Sequence, residues 1–346
     1  MDYINYVKES PYAGYIGYGG GIGGLSFRSA SGADFFGPRG WFGGGSPGGL
    51  PVNTMQYITI QSTGNATDGG DLATAVKKPS GVGGGGRILF AGGNTQTDND
   101  KHFNQAIQVH TASNTSSNAT NFGNLTYARA EMGACSDGTR GVFAAGRGDS
   151  NFYAEDYSAV MDYVTIATDG NASNFGWFGW PSGYNVNAQT KGNAANAGDT
   201  RGVWAGGIQP GLPFIGSFYY VDIQVTSNTT TGIQELTTKS RFLASCSNNV
   251  RGLWAGGASP GSPGYTNRIE WMTIASMSST SDFGDLTATA QYHSGLSDGT
   301  GQRGVFGPIT TGNGNALDYI TIDSAGNATD FGDLVADISR EGAASG

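Results

Sequence analysis

One short segment recurs six times along the chain, and it consists of an arginine, an apolar stretch and small residues. The copies are RGWFGGG (39–45), RILFAGG (87–93), RGVFAAG (140–146), RGVWAGG (201–207), RGLWAGG (251–257) and RGVFGPI (303–309). The steps between successive arginines are 48, 53, 61, 50 and 52 residues. Repeats of this length are typical of chains that stack similar units or arrange them around an axis. The fold must therefore accommodate six similar units.

Three further elements follow each arginine segment. The first alternates apolar and polar residues, as in LDYITID (317–323), which is typical of a half-buried strand. The second begins in a Gly-Asn turn, as in GNATDFGDL (326–334), and the third leads to the next arginine, as in LTYARAEMGACSDGTR (125–140). Four short strands in about 50 residues predict an all-β fold, and this length favours a propeller blade over the shorter rungs of a β-solenoid.

Composition excludes several other classes. Glycine supplies 60 of the 346 residues, which excludes an ordinary helical protein, and 13% charged with 11% aromatic residues excludes a solvated disordered chain. The net charge is −9 and the 18 Lys and Arg residues are spread thinly, so we expect no nucleic-acid partner. No apolar run approaches the length of a membrane span and no secretory signal is recognisable, so no membrane insertion is expected.

The order of the elements carries a family resemblance. An arginine, an apolar strand ending in Gly-Gly and a tyrosine-bearing strand resemble the kelch motif of β-propellers. GNATDFGDL (326–334) and CSDGTRGVFAAG (135–146) are also similar to kelch-like repeats in virion proteins of marine bacteriophages, especially cyanophages. The resemblance covers about residues 25–346. It implies a kelch-like β-propeller with six blades of four antiparallel strands, with seven blades as the alternative.

The two ends of the chain bear on how such a propeller closes. Residues 335–346 resemble the last element of the repeat and are expected to complete the blade that begins at Arg39. Residues 24–34 and 1–7 also resemble repeat elements, and they could build part of a seventh blade. Residues 1–24 are rich in Gly and Tyr, so we expect an assembly arm that contacts another subunit, or else an arm folded across its own propeller. The remaining residues, 25–346, form the propeller domain.

Several segments match the residue pattern of catalytic or cofactor-binding motifs but lack the surroundings that these motifs require. The spacing Gly19-x-Gly21-x-x-Gly24 lacks the flanking strand and helix of a dinucleotide site. Ser46 and Ser259 match a nucleophile elbow, but each precedes a proline, which has no N–H for an oxyanion hole. The three histidines (His102, His110 and His293) fall at unrelated positions of different repeats, so no copper centre of the galactose oxidase type is expected. We expect no catalytic residue, metal or cofactor, and hence no enzyme.

The longest repeat contains an aromatic insertion, FGWFGWPSGY (175–184). Trp177, Phe178, Trp180 and Tyr184 are candidate ligand-binding residues, because flat aromatic faces suit sugar rings or a protein partner. The competing interpretation is a loop cap that packs on itself. A cell-surface glycan is therefore a possible ligand of this insertion.

The recurrent polar residues have a structural interpretation. An acidic residue precedes three of the arginines in the turn, and we expect such pairs to join neighbouring blades through charge-assisted bonds. The set consists of Arg39, Arg87, Arg140, Arg201, Arg251 and Arg303. Cys135 and Cys246 each lie five residues before an arginine, at equivalent sites two repeats apart, so both are expected to be buried free thiols. Turn chemistry explains the Asn-x-Ser/Thr sequons in the repeated turn, with glycosylation as the alternative.

Two function classes are expected, the first implied by the resemblance to virion proteins and the second by the aromatic insertion. The first is a non-enzymatic structural or attachment protein of a bacteriophage particle, such as a tail, fibre or capsid-decoration component, which would reside in the virion. Its partners would be other virion subunits, and further copies of the chain through the arm. The second is a carbohydrate-binding, lectin-like propeller of bacterial or viral origin.

Overall fold

The six arginine segments form equivalent β-strands, each the second strand of a four-stranded antiparallel sheet. A computed structural model describes residues 37–96, 102–148, 158–179, 194–198, 200–209, 211–261, 264–298 and 302–346 of the chain. These residues belong to the unit Asp34–Gly346. They contain no α-helix. The predicted arm, residues 1–24, lies outside them.

Each sheet is one blade, and its strands run in order from the propeller axis outwards. The first blade consists of Gly342–Ser345, Arg39–Gly43, Val52–Thr59 and Thr67–Val76. The second consists of Ser80–Gly84, Arg87–Ala91, Ala106–Thr111 and Thr120–Asn124. The third consists of Gly133–Ser136, Arg140–Ala144, Val160–Thr165 and Ser173–Trp177.

The remaining three blades follow the same order. The fourth consists of Ala194–Gly198, Arg201–Ala205, Ser217–Asp222 and Thr230–Glu235. The fifth consists of Ala244–Ser247, Arg251–Ala255, Arg268–Thr273 and Ser281–Asp285. The sixth consists of Ser294–Ser297, Arg303–Gly307, Gly314–Thr321 and Thr329–Ile338. A short pair, Arg129–Ala130 with Arg147–Gly148, and a 3-10 turn, Pro47–Gly49, complete the described elements.

The innermost strands close the ring. Each of them packs against the innermost strands of both neighbouring blades, and the series returns from Gly342–Ser345 to Ser80–Gly84. The prediction of a six-bladed, all-β propeller is confirmed. The segment that precedes each arginine supplies the innermost strand, and the arginine strand is the second from the axis.

The C-terminal strand closes the first blade, as predicted. Gly342–Ser345 pairs antiparallel with Arg39–Gly43, with Ala344 opposite Trp41. The first blade therefore combines strands from both ends of the described unit. This arrangement removes the unpaired sheet edge that an open ring would expose.

Small residues allow the blades to approach each other near the axis. Cys135 and Cys246 are buried free thiols, as predicted, each at the third position of an innermost strand. A Cβ atom on Gly202 or Gly304, in the next blade, would lie 2.7 or 2.5 Å from the respective Sγ atom. Burial raises the pKa of both thiols. The glycine after the arginine is thus required by packing in these blades.

A second set of contacts joins the blades at their outer edge. The side-chain oxygen of an asparagine in the repeated turn accepts a hydrogen bond from the backbone N–H of the preceding blade's outermost strand. The five pairs are Asn65 with Asp333, Asn118 with Asp71, Asn171 with Asn124, Asn228 with Trp177, and Asn327 with Asp285, at 2.9–3.0 Å. These asparagines therefore have the structural role that the turn chemistry indicates.

A third set holds the segments that lead from one blade to the next. Buried polar residues in the third strands accept hydrogen bonds from the backbone of the preceding segment. Gln108 accepts from the Thr74 N–H, Asp162 from the Thr126 N–H, Glu270 from the Thr237 and Thr238 N–H groups, and Asp318 from the Thr287 N–H, at 2.8–3.1 Å. Each of these side chains accepts hydrogen bonds from backbone N–H groups that would otherwise be buried without a partner.

Candidate ligand-binding face

The six predicted arginines occupy the first position of the second strand in each blade. In every blade the guanidinium donates to a backbone carbonyl oxygen of the next blade, near the end of that blade's third strand. The acceptors are Ala112 and Ser113 for Arg39, Ile166 for Arg87, Ile223 for Arg140, Ile274 and Ala275 for Arg201, Ile322 for Arg251, and Ile60 for Arg303. The bonds run once around the ring.

Each of these guanidiniums also lies over an aromatic ring of its own blade. The pairs are Arg39 with Tyr57, Arg87 with Phe122, Arg140 with Tyr163, Arg201 with Tyr220, Arg251 with Trp271 and Arg303 with Tyr319, at 4.2–5.4 Å from guanidinium carbon to ring centroid. The aromatic side chain holds the guanidinium in place for the carbonyl. The contacts of these arginines therefore hold neighbouring blades together.

Two of the three acidic residues, Asp137 and Asp298, do not form the predicted ion pairs, and the third, Asp199, lies outside the described residues. The Asp137 carboxylate caps its own turn by accepting from the Thr139 and Arg140 N–H groups, at 2.9 and 2.8 Å. Asp298 accepts a hydrogen bond from Gln61 of the first blade. Arg87 forms an ion pair with Asp169 of the third blade, but Asp169 is not one of these turn residues. Because Asp137 lies only three residues before Arg140, its carboxylate reaches the backbone amides of its own turn more easily than it reaches the Arg140 guanidinium.

The other face of the ring holds a feature that the sequence does not indicate. Five equivalent residues, each two positions before an innermost strand, have left-handed backbone: Lys78, Glu131, Phe242, Tyr292 and Arg340, with φ of 53–63°. Left-handed backbone costs a residue with a side chain about 1–3 kcal/mol and persists only where surrounding contacts fix it. We call these residues the mouth ring. The corresponding position of the fourth blade, residue 192, lies outside the described residues.

Backbone hydrogen bonds connect the mouth ring around the axis. The N–H of Glu131 donates to the Lys78 carbonyl, that of Lys78 to the Arg340 carbonyl, that of Arg340 to the Tyr292 carbonyl, and that of Tyr292 to the Phe242 carbonyl, at 2.5–3.3 Å. Each residue thereby fixes its neighbour in the strained conformation. The side chains of the ring are presented at one end of the central channel as a preorganised set.

The side chains of the mouth ring also contact one another. Phe242 stacks on Tyr292 with 4.0 Å between ring centroids. The Tyr292 ring further faces the Arg340 guanidinium at 4.9 Å and the Lys78 ammonium at 5.3 Å. Lys78 pairs with Glu131. Burial raises the pKa of the Tyr292 hydroxyl, and the Glu131 carboxylate adds to this effect, while Arg340, Arg241 and Arg147 oppose it.

Two cavities open beside the mouth ring. The first, of about 150 Å³, lies on the axis and is lined by all five ring residues and by His293 and Glu341. The second is a groove of about 440 Å³ beside it, lined by Phe214, Arg241, Phe242, Tyr265 and Tyr292 together with Ser259, Gln291 and several Ala, Pro and Gly residues. We call the second cavity the aromatic groove. A narrower stretch of the channel, of about 80 Å³, is lined by the innermost strands, including both cysteines.

Two buried titratable residues line the axial cavity. His293 and Glu341 occupy the position after the mouth ring, where other blades have Pro79, Met132 and Leu243. Burial raises the pKa of Glu341 to about 8, and the neighbouring Ser294 partly opposes this shift. Burial lowers the pKa of His293 to about 3. Burial therefore favours the neutral form of both side chains in the cavity wall.

The predicted aromatic site is smaller than the sequence indicates. Phe178 is buried in the core, 4.6 Å from the Tyr219 ring and 6.0 Å from the Trp204 ring, so it offers no face to a ligand. Trp177 is 36% exposed at the end of an outermost strand. Trp180 and Tyr184 lie outside the described residues. Trp177 is thus the one member of this set that the described part of the chain presents to solvent.

Alignment of the repeats predicts that Phe178 is buried and that Trp177 is exposed. Phe178 aligns with Leu125 and Leu334, which follow the same Phe-Gly pair in other repeats and are buried. Trp177 aligns with Asn124 and Asp333 at a polar position. The mouth ring has no such signal, because its residue types differ in every blade and only its spacing from the small-residue strand recurs.

Metal-binding clusters and membrane-spanning helices are both absent from the described residues. No group of three or more His, Cys, Asp or Glu side chains in those ranges could hold a metal ion. Within the same ranges, no helix has the length and hydrophobicity needed to cross a membrane.

The fold and the two faces define a six-bladed β-propeller with a preorganised channel mouth. No protein-family model and no curated protein sequence matches the chain.

Proposed function

We propose that this propeller is a non-enzymatic structural or attachment protein of a bacteriophage particle. The observation that supports this role best is the set of inter-blade bonds from Arg39, Arg87, Arg140, Arg201, Arg251 and Arg303, which repeats once around the ring. A closed ring joined at every blade boundary is a stiff scaffold. Stiffness of this kind suits a subunit that must keep its shape at the surface of a particle.

The proposal also rests on a kelch-like relationship. The order of the arginine strand, its Gly-Gly end and the following aromatic strand is the arrangement that the kelch resemblance implies. The repeat segments similar to those of cyanophage virion proteins favour a virion location within that relationship. The fold alone does not select among the many functions of propellers.

Immunogold electron microscopy tests the virion location. Antibodies against the purified chain would be applied to particles from the native source, and peptides from the same particles would be identified by mass spectrometry. We expect gold label on the particle surface and peptides of this chain in the particle fraction. Detection of the chain in lysate, with none on purified particles, would overturn the proposal.

The assembly part of the proposal concerns residues 1–24. We propose that this Gly/Tyr-rich arm contacts a second copy or another virion subunit, because ordering each backbone residue costs about 1–2 kcal/mol that contacts must offset. Deletion of residues 1–24 should leave a folded propeller that no longer assembles, as measured by sedimentation. Assembly equal to that of the full chain would refute this role.

A carbohydrate-binding propeller is the second candidate function. The observation that favours it is the half-buried aromatic side chains of the aromatic groove. Trp177 and Trp180 are a separate pair of candidate residues from the sequence. Replacing both with Ala should abolish binding on a glycan array, with the melting temperature changed by only a few degrees, if the insertion is the binding site. Unchanged binding would exclude that insertion.

A further inference from the structure

We propose that the aromatic groove binds a carboxylated sugar, such as a uronic or sialic acid residue of a surface glycan. The groove combines side chains from three blades: Phe214 from the fourth, Arg241, Phe242 and Tyr265 from the fifth, and Tyr292 from the sixth. Its volume of about 440 Å³ falls within the roughly 300–1,000 Å³ that is typical of ligand sites. The inference rests on the second candidate function, the carbohydrate-binding propeller, and names the class of sugar that the groove would bind.

Aromatic faces supply the first part of the argument. Phe214, Phe242, Tyr265 and Tyr292 are half-buried, so each is held by the protein and keeps part of its surface accessible. Rings that are fixed in this way bind the flat C–H faces of pyranoses at little conformational entropy cost. Tyr265 also carries a hydroxyl, and Gln291 an amide, for sugar hydroxyl groups.

The guanidinium of Arg241 supplies the second part. It lies between two rings of the groove, 4.9 Å from the Phe214 centroid and 5.3 Å from the Phe242 centroid. Its Nε atom is buried without a hydrogen-bond partner, and no acidic residue of the described chain forms an ion pair with it. Because the Nε atom is closed to the groove, a ligand would meet the exposed part of this half-buried side chain, and a carboxylate is the acceptor that a guanidinium binds best.

The local charge supplies the third part. The chain is acidic overall, with a net charge of −9, yet Lys78, Arg147, Arg241 and Arg340 gather around the channel mouth. Glu131 is paired with Lys78. Arg340 lies in the lining of the axial cavity with its guanidinium 4.9 Å from the Tyr292 ring centroid. The mouth is therefore a positive region in a negative protein, which attracts an anion and orients it toward the groove.

The test uses the purified full-length chain and isothermal titration with three probes. These are tetragalacturonate, sialyllactose and the neutral maltotetraose, and they separate the two sources of a carboxylate from neutral stacking. We expect at least one acidic probe to bind, with at least tenfold lower affinity for maltotetraose. Arg241→Gln should weaken acidic binding at least tenfold, and Lys239→Gln, an exposed cation outside the groove, should leave it unchanged.

Several outcomes would overturn the inference. They are the absence of binding by all three probes, equal affinity for the neutral and acidic probes, and wild-type affinity in Arg241→Gln. Equal or tighter binding of a single-stranded oligonucleotide would show a general anion surface instead. Phe214→Leu provides a second variant if Arg241→Gln does not fold, and it should also weaken binding. Binding by the purified chain together with unlabelled particles would separate this inference from the virion proposal.

Discussion

The guanidinium of Arg303 in the sixth blade donates a 3.2 Å hydrogen bond to the carbonyl oxygen of Ile60 in the first blade. These residues are 243 positions apart, and the same bond joins every other pair of adjacent blades. The first blade is itself closed by the pairing of Gly342–Ser345 with Arg39–Gly43. Ring closure therefore uses the same side-chain chemistry at the terminal boundary as at the internal ones.

Removal of one of these links should lower stability. Arg251 donates to the Ile322 carbonyl at 3.0 Å and lies 4.2 Å from the Trp271 ring centroid. We expect Arg251→Met to lower the free energy of unfolding by about 1–3 kcal/mol, because a hydrogen bond from a charged donor is lost while the aliphatic stem remains. Urea unfolding measures the change. Lys239→Met, at an exposed site, is the control, and an equal effect in both would contradict the assigned role.

The close approach at the outer edge of the blades makes a steric prediction. A Cβ atom on Gly123 would lie 2.1 Å from the Gly170 carbonyl oxygen, whereas one on Gly170 would meet nothing within 4 Å. We expect Gly123→Ala to destabilise the propeller by about 1–3 kcal/mol, because it forces two blades apart. Gly170→Ala should have an effect below about 1 kcal/mol. Thermal melting of the two variants provides the comparison, and similar melting temperatures would show that the edge yields.

The sequence predicts the repeat architecture well, for a physical reason. Arg39 and Arg303 begin strands of one type because each repeat buries the same apolar residues against its neighbours, and the recurrent pattern therefore reports the recurrent packing. The strand at 342–345 could be placed as well, since a propeller needs a partner for its last edge.

The channel mouth could not be predicted in the same way. The left-handed backbone of Lys78 and Tyr292 is imposed by hydrogen bonds to the adjacent blades, so no local propensity marks it. The groove combines Phe214 with Tyr292, which are 78 positions apart and meet only when three blades are in place. Such a site depends on tertiary contacts that single-repeat patterns do not contain.

A buried ion pair in one blade can be compared with a neutral pair in another. Arg129 and Asp162 are fully buried and 2.9 Å apart, and they occupy the positions of Val76 and Gln108 at the previous blade boundary. Burial lowers the pKa of Arg129. We expect Arg129→Val alone to cost about 3–5 kcal/mol, because Asp162 loses its counter-charge.

The double variant Arg129→Val with Asp162→Gln reproduces the neutral pair. We expect it to recover most of the lost stability, because Gln108 already accepts from the connecting segment in the same way. Chemical denaturation of the single and double variants gives the coupling free energy. A double variant no more stable than Arg129→Val would show that the surrounding core, rather than the charge, makes the boundary specific.

The two buried titratable residues of the axial cavity should make the free energy of unfolding depend on pH in opposite directions. The pKa of His293 is about 3 in the folded chain and about 6.5 when unfolded, so the unfolded state binds more protons between these values. The contribution of His293 is therefore fully present above pH 6.5 and decreases as the pH falls. The pKa of Glu341 is about 8 when folded and about 4.5 when unfolded, so its contribution decreases as the pH rises between these values.

Two substitutions separate these effects. As the pH falls from 6.5 to 4, the wild-type chain should lose on the order of 3 kcal/mol of unfolding free energy through His293. His293→Leu, which introduces the residue found at the equivalent position 243, should remove this loss. Glu341→Gln should likewise remove the loss of unfolding free energy, on the order of 4 kcal/mol, that occurs as the pH rises from 5 to 8.5. Urea unfolding across this pH range measures both effects. Met132→Leu at the equivalent position is the control without a titratable group, and variants that keep the wild-type pH profile would show that neither side chain is held in its neutral form.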